Sequence, residues 1–292
     1  MKRIKFFFIL LCVPLMLSAQ AFLPDSMVVC TDEDKAIFDD YVQKFLPCRD
    51  SSMNWLMLHT GFYFLGTPYV SYTLEVTDTE KLIVNLRQLD CTTFTETCLA
   101  LARTIKNDCG PTFDAYICEL TKIRYRYGLL EDYTSRLHYF TDWIHNNNDM
   151  DIVRDLTVEL GGIPYPMYVN TMTRLRNKYV HLKDNDDFCA RIDTIEKEIS
   201  AREHFYIPKN RIDSVGVKEG DIVAMTISGK GLDIMHMGIA VIKEDRLYFM
   251  HASSVGKEVM ITLVPFYDYL CGIKSCTGCM VLRPLPPLPP EE

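Results

Sequence analysis

The sequence predicts an α+β fold, and three observations predict it. From Thr31 to about Phe205, apolar residues recur mostly at three- and four-residue spacing, the period of helices packed on a core. From Val217 the pattern changes to short apolar runs bounded by turn residues, as in an antiparallel sheet. Within the first stretch, Cys91 stands where a strand-like run gives way to a helical one.

The elements follow in order. Thr31, with Asp34 three residues on, marks a helix start, followed by Ile37, Phe38, Tyr41, Val42, Phe45 and Leu46 at helical spacing, and Pro47 ends it. A second apolar segment, Trp55 to Leu65, runs into a turn at Gly66-Thr67-Pro68-Tyr69. Two strand-like runs come next, Ser71 to Val76 and Lys81 to Leu86, and then a helix from Cys91 to Ile105. The stretch from about Pro111 to Phe205 reads as an insertion of helices, interrupted at Asn146-Asn147-Asn148 and Gly161-Gly162. Four strands close the pattern, Asp221 to Ile227, Met237 to Ile242, Leu247 to His251 and Val259 to Val264, with turns at Ser228 to Gly231 and at Glu244-Asp245. The terminal RPLPPLPPEE is a proline-rich tail, extended and unable to join a sheet interior.

The first twenty-one residues have another character. Lys2, Arg3 and Lys5 precede an apolar run from Phe6 to Leu17 and the small-residue stretch Ala19-Gln20-Ala21, the layout of a cleaved secretory signal peptide. The run is shorter than the twenty or so apolar residues that span a bilayer, so the expectation is an exported protein, periplasmic or extracellular, with no stable membrane insertion after cleavage. Leu11 before Cys12 is too bulky for lipid modification. Residues 22–292 are then read as one elaborated domain. A net charge of −8 and the lack of a dense Lys/Arg run argue against a nucleic-acid partner. The cysteines beyond the leader are irregularly spaced, which reads as buried thiols plus one reactive one; Cys276 and Cys279 suit a strand-end disulfide or free thiols better than a metal site.

Cys91 is the candidate for that reactive thiol. The amides and the positive dipole end of a helix start favour a thiolate and can hold an oxyanion, although a lone cysteine there is more often a small buried residue. His236 and His251 fall at strand edges of one hairpin, which brings them together. Nucleophile, base and orienting group are the parts of an acyl-transfer site, and the same residue types also suit zinc. Arg136, Trp143 and His145 lie in the insertion, where an aromatic ring and a cation could line a sugar-peptide cleft, though a helical tryptophan is more often core.

Through Gly66-Thr67-Pro68-Tyr69, Asp90-Cys91, Gly220-Asp221-Ile222-Val223, His236-Met237-Gly238 and His251-Ala252, in that order, the chain resembles the NlpC superfamily of cell-wall cysteine peptidases and amidases. The resemblance implies a papain-like core in which Cys91 opens the central helix, His236 is the base and His251 orients it. It implies that Tyr69 helps fix the substrate carbonyl, that Asp90, Thr92 and Trp143 complete the expected substrate contacts, and that neither metal nor cofactor is needed. Thr92-Thr93 stands where most members have Ser-Gly, and the helical insertion is long. With Thr141-Asp142-Trp143-Ile144, these features are similar to a branch of N-acetylmuramoyl-L-alanine amidases, which implies hydrolysis of the lactyl to L-alanine amide of soluble peptidoglycan fragments. A stem-peptide endopeptidase cutting after D-glutamate, or a muropeptide-binding module without catalysis, are the alternatives.

Overall fold

The computed structural model describes residues 23–229 and 231–289. The signal-peptide reading lies outside the described residues. After the short strand β1 (Val28–Val29), helix α1 (Asp32–Phe45) starts where its capping box is, with the Thr31 side chain accepting from the Asp34 amide and the Asp34 carboxylate from the Thr31 amide. Helix α2 (Met53–Tyr63) is capped by Ser52 and is followed by Gly66, whose φ of 83° makes the expected turn. The run Ser71 to Val76 is not a strand. Tyr72 takes a left-handed φ of 63° there, and Glu75 is drawn across to Arg136 in a 2.5 Å ion pair, so the chain bends instead of extending. Of the second run only β2 (Leu82–Ile83) is regular, and it pairs in parallel with β1.

Helix α3 (Cys91–Ile105) lies against the sheet, with Phe94, Cys98, Leu99 and Leu101 wholly buried, each worth about 1.5–3 kcal/mol for the larger side chains. Helix α4 (Phe113–Arg124) packs on α3 and is tied to it by two buried ion pairs, Arg103 to Glu119 (2.5 Å) and Arg124 to Glu96 (2.7 Å). Helix α5 (Phe140–Asp149) follows. The inserted stretch is less helical than its pattern suggests: strands β3 (Val153–Asp155) and β4 (Ile163–Pro164) precede helices α6 (Thr171–Arg174) and α7 (Asp186–Ala201), and β5 (Phe205–Pro208) follows them. These strands have two to four residues, too few for a period of two to show.

The carboxyl-terminal strands fall close to their expected places as β6 (Ile222–Ile227), β7 (Ile234–Lys243), β8 (Arg246–Ser253) and β9 (Glu258–Ile261), before helix α8 (Phe266–Gly272) and β10 (Cys276–Pro284). All form one antiparallel sheet in the order β4-β5-β10-β6-β7-β8-β9, with β3 also on β10. The tail reading is thereby corrected at its start. Arg283 and Pro284 close a strand in the middle of the sheet, paired with Arg154 and Val153, and the Cys276/Cys279 pair sits inside it as buried thiols. Proline is accepted there because it is the last residue of the strand. One face of the sheet meets α1 to α5, and the other meets α8 and the turn at 209–214.

Candidate active site

Asp90 caps α3, its carboxylate accepting from the Thr93 amide and the Thr93 hydroxyl, both at 2.8 Å, while the Asp90 amide donates back to Thr93 Oγ1. The half-buried Cys91 is therefore the first helical residue, fixed by a cap worth about 1 kcal/mol. Its sulfur is met by the backbone N–H groups of Met237 and Thr92 and by the Thr92 hydroxyl. The Met237 contact sets the thiol against β7 one residue from His236. Burial, with the neighbouring Asp90 charge added, still pushes the Cys91 pKa up to about 12, more than these donors pull it down. The resting thiol is therefore neutral, against the expectation that the helix start alone would make it a thiolate.

The two histidines meet directly. His236 Nε2 is 2.6 Å from His251 Nδ1. Two local features aim them. The register between β6 and β7 steps from Met225↔His236 to Thr226↔Ile234, so Met235 is an extra residue just before His236, a bulge of the kind that re-aims a side chain. Gly238 follows, and a Cβ there would lie 2.3 Å from the Met250 carbonyl and 3.0 Å from His251 Cβ, which explains glycine in His236-Met237-Gly238. The His251 ring stacks on Phe249 at 4.9 Å and lies 5.6 Å from Tyr269. Burial lowers both imidazoles, His236 to about 4 and His251 to about 3, the latter helped by the charge of His236. Near neutral pH the site thus holds a neutral thiol and neutral imidazoles.

Tyr69 sits on the segment that joins these parts. Its amide donates to the Lys257 carbonyl at 2.8 Å, and it bridges Leu89, two residues before the cysteine. Burial, with the nearby Asp90 carboxylate added, raises its pKa, so it stays a neutral hydroxyl donor. Asp221 of Gly220-Asp221-Ile222-Val223 has a structural task, accepting from Arg283 Nε and Nη2 and from Asn54, all at 2.9 Å, and so binding β6 to β10 and α2.

The structure does not bring Trp143 to this site. It is wholly buried, stacked on Phe140 at 4.6 Å, with its indole N–H unpartnered, so the expected substrate contact is corrected to a core position. Arg136 is likewise buried between Glu75 and Glu80, and His145 lies on the surface beside Asp149. Sequence reasoning missed the Met237 amide, a backbone group for which residue type carries no signal. It also missed the grip of the insertion on the loop before His236. Asp233 accepts from the Thr141 amide (2.7 Å) and hydroxyl (2.8 Å), capping α5, and the Tyr165 hydroxyl donates to the Ile227 and Asp233 carbonyls. Gly231 in the same loop accepts from the Asn170 and Thr171 amides.

A thiol at a helix start and a hydrogen-bonded imidazole pair on the adjoining strands are groups chemically able to supply a nucleophile and a base for acyl transfer. Against protein-family models, residues 59–277 match the AmiA-like family, described as N-acetylmuramoyl-L-alanine amidase-like, and the chain belongs to that family. Among solved structures it is similar to an N-acetylmuramoyl-L-alanine amidase from Bacteroides uniformis, with 36% identity and a TM-score of 0.75 over 78% of this chain and 98% of that one. A second structure of an amidase so named from that organism gives 35% identity and a TM-score of 0.76, covering 80% and 99%. A Legionella pneumophila protein at 20% identity, with a TM-score of 0.67 over 87% and 95%, shares the fold. Among curated proteins no match was found. Among the described residues no helix is long and apolar enough to cross a membrane.

Proposed function

We propose that the protein is an exported cysteine amidase with a papain-like, NlpC-type core that hydrolyses the amide between N-acetylmuramic acid and L-alanine in peptidoglycan fragments. Membership of an amidase-like family supports the reaction class and a cell-wall substrate. The observation that carries the cysteine mechanism is the 2.6 Å bond between His236 and His251 on the strand whose Met237 amide meets the Cys91 sulfur.

The roles follow from the hydrogen bonds. With His236 Nε2–H donating to His251 Nδ1, the lone pair of His236 is on Nδ1, free to take a proton. As substrate displaces water, the Cys91 proton passes to Nδ1 and the sulfur attacks the amide carbonyl. The Thr92 amide and the Tyr69 hydroxyl are the donors near the sulfur for the developing oxyanion. The imidazolium then protonates the L-alanine nitrogen as the C–N bond breaks, and His236, neutral again, activates the water that releases the lactyl acid from the thioester. His251 holds the base in its tautomer throughout. Asp90 and Thr92 shape the helix start, and the proposal needs no metal.

The test is mass spectrometry of defined muropeptides incubated with residues 22–292, with Cys91→Ala alongside. Intact stem peptide with a free L-alanine amine, absent with the variant, is the expected result. Cleavage after D-glutamate would instead make the protein a stem-peptide endopeptidase, and no cleavage would make it a binding module.

A further inference from the structure

Beside the loop that leads into β7 lies a groove of about 760 Å³, walled on one side by the insertion and on the other by the ends of β6 and β10. Three tyrosines line it. Tyr165 and Tyr206 have ring centroids 5.2 Å apart, and Tyr168 leaves 62% of its surface in solvent, an unusual exposure for a ring next to a cavity. The Tyr165 hydroxyl is consumed by the Ile227 and Asp233 carbonyls and the residue is buried, so it backs the groove while Tyr168 is the ring most open to it. Polar groups surround the rings: Asn170, Ser228, Thr277 and the exposed Arg174, which makes no ion pair among the described residues and whose Nη2 lies 3.4 Å from where a Cβ on Gly231 would be.

We infer that this groove binds the saccharide part of a muropeptide. Flat aromatic faces ringed by side-chain donors and acceptors match a sugar, which has C–H faces on its ring and hydroxyl and acetamido groups on its edge. An apolar peptide side chain would not use the unpaired guanidinium or the amide of Asn170. The position also fits. Ile227 and Gly231 line the groove, and the same loop continues through Asp233 to His236, so a sugar seated here is held on the side of the site where the insertion grips the histidine strand. The inference rests on the amidase reading for the identity of the sugar, and it assigns the insertion a recognition task separate from the chemistry at Cys91.

Calorimetric titration of the Cys91→Ala protein with the peptide-free disaccharide of N-acetylglucosamine and N-acetylmuramic acid tests it, because binding is then read without turnover. Saturable binding, weakened about tenfold by Tyr168→Ala, the equivalent of about 1.4 kcal/mol, is the expected result. Arg174→Gln should weaken it as well, while titrations with the free stem peptide should be the same in all variants. Lack of disaccharide binding at millimolar concentration, or binding that both substitutions leave unchanged, overturns the inference. If the disaccharide binds as expected but the wild-type protein cleaves no muropeptide, the groove stands and the amidase reading falls.

Discussion

Replacing His251 by phenylalanine isolates the orienting role from the packing role. The new ring keeps the stack on Phe249 and the contact with Tyr269, at 4.9 and 5.6 Å in the native protein, but removes the Nδ1 acceptor. His236 Nε2 then loses its 2.6 Å partner inside the protein. Leaving a buried donor unpaired costs about 1–3 kcal/mol, and the stranded proton is free to move to Nδ1, where it blocks the base. At about 1.36 kcal/mol per tenfold, kcat should fall about 5- to 150-fold with little change in KM. Stability supplies an independent readout. His251 is pushed from the ordinary imidazole value of 6.5 to about 3 in the folded protein, so only the unfolded chain takes up its proton between those values. Its share of stability is therefore whole above about pH 6.5, erodes as pH falls toward 3, and is constant below. The variant has no such loss, and its melting temperature relative to wild type should rise from pH 7 to pH 5. Steady-state kinetics on a muropeptide and melts at both pH values decide it. Wild-type kcat in a folded variant would refute the orienting role.

The same burial sets the pH profile. His236 must be neutral to accept a proton, so the acid limb of kcat/KM should have its midpoint at about 4, well below that of a solvated imidazole; a limb near 6.5 would show that the base is not this buried residue. Arg124→Met strands the Glu96 carboxylate, whose partner sits at 2.7 Å with both side chains at 3% exposure or less, at a cost of about 3–5 kcal/mol. The melting temperature should drop by about 6–20 °C, and a drop under 2 °C would show that the pair contributes nothing. Tyr165→Phe removes the hydroxyl that binds both stems of the loop before β7 and should lower the melting temperature by about 2–12 °C. A variant that melts with the wild type would mean that the loop is held elsewhere.

What the sequence made legible was local. Thr31 announces a helix start through its pairing with Asp34, and β7 and β8 announce a hairpin through length, apolar content and the Glu244-Asp245 turn, so the approach of His236 to His251 followed from pattern. Illegible elements owed their form to partners far along the chain. β10 is buried on both faces, which leaves no alternation to read, and its cysteines and terminal proline suggested other things. Ser71 to Val76 has the composition of a strand but is pulled out of line by Arg136. The thiol's protonation state was illegible for a similar reason. The helix start is visible at Cys91, while the burial that outweighs it is contributed by the rest of the fold.

Those distant partners show how the insertion bears on the candidate site although it supplies none of Cys91, His236 and His251. The loop before β7 is held through Tyr165 at its two stems, through Gly231 at its tip and through Asp233, whose carboxylate caps α5. All these ties come from residues 141 to 171, and all end within nine residues of His236. A loop anchored this way cannot relax the bulge at Met235, and that bulge decides the direction in which His236 points. His236 is thus aimed from outside the sheet, in part by Tyr165 and Asn170, which also line the groove beside it. On the proposed function, a sugar in the groove would rest against Tyr165 and Gly231, which hold the loop leading to His236, so recognition and chemistry would share one support.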